Sequence, residues 1–138
     1  CAHHKRDEAE TVHYQLQPAV IHARPLVAET IFRNLVDNAI KYGDDPPQVE
    51  VHCHVNDRGR VITRVVDNGE GVPPELRKRV FKMFYRAGSE LTRRKKGTGL
   101  GLYIVMTLVK QLKGRISIYD RGGRPGSVFE VDLPGKAA

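Results

Sequence analysis

Three short segments bring together residue types suited to a charged, phosphate-rich small molecule: NLVDNAIKYG (residues 34–43), DNGEGV (67–72) and GTGLGL (97–102). In the first, Asn34, Asn38 and Lys41 fall within about 60° of one another at the 100° per residue of a helix, forming one polar strip. Asparagine is a mediocre helix former, and a merely solvated face is better served by Lys, Glu or Gln. An amide oxygen can ligate a hard cation such as magnesium, and a lysine ammonium is a point charge for phosphate oxygens. Side by side, these roles call for a metal-bound nucleotide.

In the second segment Val65 and Val66 lead into Asp67, Asn68, Gly69, Glu70 and Gly71. A buried strand thus delivers a carboxylate to its end, where two glycines let the backbone turn. Asp-Asn-Gly is also a common plain turn. The distinguishing chemistry is that an ionised Asp67 only accepts hydrogen bonds, so it would pair with the amino group of adenine and repel the carbonyl of guanine. Gly71 would keep such a pocket open to the ring.

The third segment, Gly97-Thr98-Gly99-Leu100-Gly101, stands directly before a helical pattern, so its amides and the helix N-terminus can face phosphates without side chains in the way. It is not a P-loop, since G-x-x-x-x-G-K-[ST] occurs nowhere in the chain. It is not the dinucleotide fingerprint either, because the spacing is G-x-G-x-G and no strand comes just before it. Between the second and third segments, Phe81 and Phe84 could anchor a loop, although core packing explains them equally well. Arg86 and the basic run 93–96 would then swing toward the phosphates as the lid closes.

These segments need a scaffold. Pro25 stands at a helix start, and Phe32, Leu35, Val36, Ala39 and Ile40 make one apolar face ended by Gly43. Residues 12–16 and 19–23 alternate like two short strands around the Gln17-Pro18 turn and are expected to pair at a sheet edge. VEVHCHV and RVITRVV read as strands joined at residues 56–59. Within the first of these, His52 and His54 lie two apart on one face, and with no third ligand nearby they read as exposed strand polarity rather than a metal pair.

Pro73 and Pro74 open a short helix through Lys82, and a loop is expected over 87–96. A second helix presents Leu102, Val105, Met106, Val109 and Leu112 on one face, with Gly114 as its C-cap. The end is a hairpin whose Ile116, Ile118, Val128 and Phe129 are expected to face the core. Residues 1–10 are polar and aperiodic and read as a linker or remnant, leaving 11–138 as one domain.

At 138 residues and 40% apolar content the chain suits a single ordinary core. Its net charge of +7 could indicate nucleic acid, an anionic membrane or a phosphorylated ligand. The basic residues concentrate at 77–79 and 93–96, and no helix-turn-helix, zinc-finger or RNA-recognition signature accompanies them, which disfavours nucleic acid. Two cysteines are too few for a disulfide framework and suggest a reducing compartment. No apolar run approaches the roughly 18 residues of a membrane span.

With these segments in place, the chain resembles the catalytic, ATP-binding domain of sensor histidine kinases, in the superfamily that also holds DNA gyrase and MutL. NLVDNAIKYG resembles that family's N box, DNGEGV its first glycine box, VFKMFYR its F box and GTGLGL its second glycine box, in the family's order and over roughly residues 12–134. The resemblance implies a Bergerat-fold two-layer α/β sandwich, with a mixed, mostly antiparallel sheet covered on one face by about three helices. It implies Mg-ATP as ligand, with Asn38 holding magnesium, Asn34 and Lys41 at the phosphates, Tyr42 against the adenine and Asp67 on its amino group. Gly69 and Gly71 would shape the base pocket. The run from Gly97 through Thr98, Gly99, Leu100 and Gly101 to Leu102 would line the phosphate channel.

Gyrase-like ATPases carry at position 34 a glutamate that activates water, whereas Asn34 cannot act as a general base, so transfer to an external acceptor is favoured over hydrolysis. Asn34, Lys41 and Arg86 are then the residues expected at the transferring phosphate. The acceptor histidine would belong to the parent protein's own helical dimerisation domain, with a response regulator addressed indirectly. None of the six histidines here sits in such a motif. A cytoplasmic setting follows, without nucleic-acid or membrane contact by this domain, although the parent could be an inner-membrane sensor. The alternatives are an anti-sigma-factor-type serine kinase and a nucleotide-binding or docking module without transfer activity.

Overall fold

The computed structural model describes residues 11–82 and 101–138. The expected N-terminal linker and the expected loop over 87–96 lie outside the described residues. Six strands are present: β1 (Thr11–Leu16), β2 (Ala19–Ile21), β3 (Gln48–Val55), β4 (Arg60–Val66), β5 (Arg115–Asp120) and β6 (Ser127–Ala137). Two α-helices, α1 (Pro25–Tyr42) and α2 (Gly101–Gln111), and two single 3-10 turns at Pro74–Leu76 and Arg79–Phe81 complete the described elements. The strands form one mixed sheet in the order β1-β3-β4-β6-β2, with β5 also paired to β6; β1 and β3 are parallel and every other pair is antiparallel.

The expected pairing of the first two strands is corrected: β1 lies along β3, and β2 along the far end of β6. Gln17 explains this. Its amide donates to the Cys53 carbonyl at 2.9 Å and its side-chain oxygen accepts from the Val55 amide at 3.0 Å, so the chain stays committed to β3 through the turn. Parallel neighbours need a long crossover, and α1 supplies it between β1 and β3.

Pro25 occupies the first turn of α1, where a missing N–H costs nothing. Ile31, Leu35 and Ala39, spaced by four, form its fully buried stripe, with Phe32, Val36 and Ile40 packed alongside. On α2, Val105 and Val109 play the same part. That helix ends with Lys113, not Gly114, in the left-handed region (φ 61°). The Lys113 amide donates to the Lys110 carbonyl and the Gly114 amide to the Val109 carbonyl, a Schellman closure. Gly114 is required for space instead: an added Cβ would sit 2.4 Å from the Asp132 carbonyl oxygen.

Both helices cover one sheet face, where β6 contributes Phe129, Val131 and Leu133. The expectation that Val128 also faces this core is corrected, because adjacent strand residues point to opposite faces and Phe129 takes the inward one. Phe81 meets Phe129 edge-on at 6.4 Å between ring centroids, so it serves the core, while Phe84 lies outside the described residues. The opposite face carries cross-strand ion pairs, Arg64 with Glu130 and Arg60 with Asp132, both at 2.7 Å.

Two leucines of α1 test this layering. Leu35 is 2% exposed and Leu26 is 72% exposed. In urea unfolding, Leu35→Ala is expected to cost about 2–5 kcal/mol and Leu26→Ala less than about 0.5 kcal/mol; equal losses would contradict the packing.

Candidate functional site

The apolar stripe of α1 fixes the direction of its polar strip, which places Asn34, Asn38 and Lys41 half-buried beside the core. The Asn34 amide nitrogen donates to the Thr30 carbonyl at 2.8 Å, which reserves its Oδ1 for the other side. That oxygen would be 3.3 Å from a Cβ added at Gly101, so the start of α2 abuts the first segment. The Lys41 ammonium lies 5.9 Å from the Tyr42 ring centroid, within cation–π range. Leu102 is partly buried against the core and contributes packing at this point.

At the end of β4, Asp67 is 4% exposed and its carboxylate is held on three sides. Oδ1 accepts from the Gly69 amide at 2.9 Å and the Ser127 amide at 3.3 Å, and Oδ2 accepts from the Ser127 hydroxyl at 2.8 Å. A carboxylate oxygen offers about two lone-pair directions, so Oδ1 is filled and Oδ2 keeps one for an incoming donor. Burial pushes the Asp67 carboxyl above its ordinary value, opposed by the hydrogen bonds from Gly69 and Ser127 and by the positive charge of Arg121.

Backbone contacts lock the surroundings. Gly69 packs so closely that an added Cβ would be 2.1 Å from the Tyr42 carbonyl oxygen, joining the second segment to the first. Gly126 (φ 124°) lies over the Asp67 carbonyl, where a Cβ would approach to 1.9 Å, and its own carbonyl faces Gly71 (φ 86°). The Asn68 side-chain oxygen accepts from the amides of Asp44 and Gln48, at 2.9 and 3.1 Å, and so fastens the connection from α1 to β3.

The described contacts join Tyr42, Gly69, Gly71 and Asp67 where α1 and β4 end, and join Gly101 to Asn34 about two turns earlier along α1, with Asn38 and Lys41 between on the same helix. Arg86, Gly97, Thr98, Gly99, Leu100 and the basic run 93–96 lie outside the described residues. Sequence reasoning missed Ser127 and Gly126; the signal was a Gly-Ser step opening the last strand, which reads as an ordinary turn until its position beside Asp67 is known. His52 is bonded to Glu50 at 3.0 Å, and among the described residues no three His, Cys, Asp or Glu side chains cluster as metal ligands. A hard cation with phosphate oxygens as further ligands needs only one or two protein oxygens, and the amide oxygen of Asn38 fits that requirement.

A helix-covered mixed sheet, with a buried carboxylate at a central strand end beside an asparagine-bearing helix, is an ATPase-type nucleotide-binding sandwich. The sequence matches the family described as histidine kinase-, DNA gyrase B- and HSP90-like ATPase over residues 23–137. It is 37% identical over 106 residues to the sensor histidine kinase TmoS of Ectopseudomonas mendocina, covering 77% of this chain and 11% of that protein. It is 34% identical over 108 residues to the sensor protein CiaH of Streptococcus pneumoniae, covering 78% of this chain and 24% of that protein.

Among solved structures, the mycobacterial sensor histidine kinase MprB superposes with a TM-score of 0.84 at 26% identity, over 97% of this chain and 87% of that one. Full-length ShkA in complex with AMPPNP gives 0.77 at 27% identity, over 97% and 27%. The chain belongs to the histidine kinase-, gyrase- and HSP90-like ATPase family, and its relatives are sensor histidine kinases. It spans about a tenth to a quarter of the length of the curated relatives it matches.

A buried carboxyl whose proton affinity is raised by folding adds stability that is fully present below its unfolded value near 3.8 and is lost as pH rises through the folded value. Asp67→Asn removes the ionisation while keeping an acceptor for Gly69 and a donor for Ser127. Its melting temperature near neutral pH is therefore expected to match or exceed that of the wild type, with the advantage shrinking toward about pH 4. An advantage that grows on acidification would reverse the assigned sign.

Proposed function

We propose that the chain, taken as one domain over residues 11–138, binds Mg-ATP and donates the γ-phosphoryl group to a histidine on a separate helical dimerisation domain of its parent protein. The phosphoryl group then passes to a response-regulator aspartate. The observation that carries this reading is the Asp67 carboxylate: it is buried, fixed by Ser127 and Gly69, and short of one donor. The adenine amino group is such a donor, and the guanine carbonyl at the same ring position is not. Tyr42, Gly69 and Gly71 complete the base pocket.

Magnesium would be held by Asn38 and would neutralise the charge that develops between the β- and γ-phosphates. Asn34 and Lys41 would supply a hydrogen-bonding group and a positive charge at that end, and Arg86 and the glycine run from Gly97 to Gly101 are expected from the sequence to add to the phosphate-binding groups. Phosphoryl transfer needs mainly positioning and charge stabilisation, which these residues provide. Asn34 has no basic function with which to activate water, so the nucleotide is kept for an acceptor instead of being hydrolysed. The isolated domain is accordingly not expected to phosphorylate itself. No helix among the described residues is long and apolar enough to cross a membrane.

Calorimetry with ATP and GTP, with and without magnesium, tests the reading. ATP is expected to bind about 10- to 100-fold more tightly than GTP, because guanine leaves the Asp67 carboxylate unpaired. Asp67→Asn is expected to lose adenine binding while remaining folded, and Asn38→Ala to lose the magnesium-dependent part of the affinity. Equal affinity for both bases, or magnesium dependence persisting in Asn38→Ala, would contradict the assigned roles.

A further inference from the structure

The segment that fastens Asp67 is itself fastened by a residue with no place in the nucleotide site. Arg121 follows the last residue of β5, and its side chain is only 10% exposed. One guanidinium nitrogen donates to the Pro125 carbonyl and the other to Glu50 Oε2 of β3, each at 3.2 Å. Its Cδ lies 3.0 Å from where a Cβ of Gly126 would stand. The planar fork therefore spans from the edge of β3 to the backbone immediately before Gly126 and Ser127, with the aliphatic stem against Gly126.

Those two residues decide how Asp67 is presented. Ser127 contributes an amide to one carboxylate oxygen and a hydroxyl to the other, and the Gly126 backbone covers the Asp67 carbonyl. The hairpin connection is otherwise open: Gly122, Gly123, Arg124 and Pro125 are exposed, and no atom lies within 4 Å of a Cβ added at either glycine. A second tie, Arg77 to Asp120, has an 81% exposed carboxylate and so contributes little. Glu50 is well suited to anchor the fork, since its hydrogen bond to His52 and the nearby Arg121 keep its carboxyl below the usual range despite partial burial.

We propose that Arg121, anchored on Glu50, is a positioning residue for base recognition: it holds the 125–127 backbone so that Ser127 turns the free lone pair of Asp67 toward the adenine amino group. This rests on the reading of Asp67 as the adenine partner. Arg121 touches neither base nor phosphate in this account, and it acts through Gly126 and Ser127.

The test compares wild type, Arg121→Ala and Arg121→Lys, using ATP and GTP calorimetry together with a carbon-13 NMR titration of the Asp67 carboxyl in the nucleotide-free protein. Arg121→Ala is expected to weaken ATP binding roughly 3- to 30-fold, to narrow the preference for ATP over GTP, and to leave the magnesium dependence intact. It is also expected to raise the Asp67 titration midpoint, since a nearby positive charge is gone. Arg121→Lys recovers part of the affinity, because an ammonium can reach Glu50 but cannot reproduce the fork. A folded Arg121→Ala with wild-type ATP affinity and an unmoved Asp67 titration overturns the proposal.

Glu50 is 38% exposed, so removing its partner leaves a hydrated charge, which favours folding of the variant. If Arg121→Ala nonetheless fails to fold, Glu50→Ala decides: weakened ATP binding supports the anchor, and unchanged binding overturns it. Failure of the wild type to bind any adenine nucleotide would remove the base-pocket reading and the proposal together, and is seen before any variant is made.

Discussion

The site is organised around one unfavourable act, the burial of the Asp67 carboxylate. A charge in that position costs stability unless donors surround it, and the fold provides three from two segments, Gly69 on one side and Ser127 on the other. Neither donor can approach unless the neighbouring backbone does, which is why Gly69 presses on the Tyr42 carbonyl and Gly126 on the Asp67 carbonyl. The remaining acceptor direction on Oδ2 is left open. A group kept short of one partner lowers stability, and the same shortage gives a ligand with a matching donor its selectivity.

The layering of the domain serves that arrangement. The core stripe of α1 sets the helix rotation, so the asparagine and lysine strip must run alongside the core toward the end of β4. The close approach of Gly101 to Asn34 sets the start of α2 against the middle of α1. The opposite face carries the ion pairs of Arg60, Arg64 and Glu50, and through Arg121 it reaches round the hairpin to the back of the base pocket.

Much of this was legible in the residues because it depends on short-range periodicity. The extent of α1 and the β3–β4 hairpin follow from patterns within about 20 residues, whereas the approach of Gly69 to Tyr42 joins two separate segments, for which the family resemblance was needed. The partners of β1 and β2 were not legible, since pairing is decided by Gln17 reaching β3 across 36 residues of chain from its backbone partner Cys53. The role of Ser127 was hidden for the same reason, as it lies 60 residues from Asp67. Val128 and Phe129 are adjacent apolar residues that give the alternation no preferred phase, and the glycine beside Lys113 resembles the natural helix terminator, although Lys113 takes the left-handed conformation.

The most direct test of the account is a structure of this domain with magnesium and a non-hydrolysable ATP analogue. It predicts the adenine amino nitrogen within about 2.7–3.2 Å of Asp67 Oδ2, with the Ser127 hydroxyl still on the same carboxylate. An adenine ring bound elsewhere, or bound here with its amino group turned away from Asp67, would contradict it.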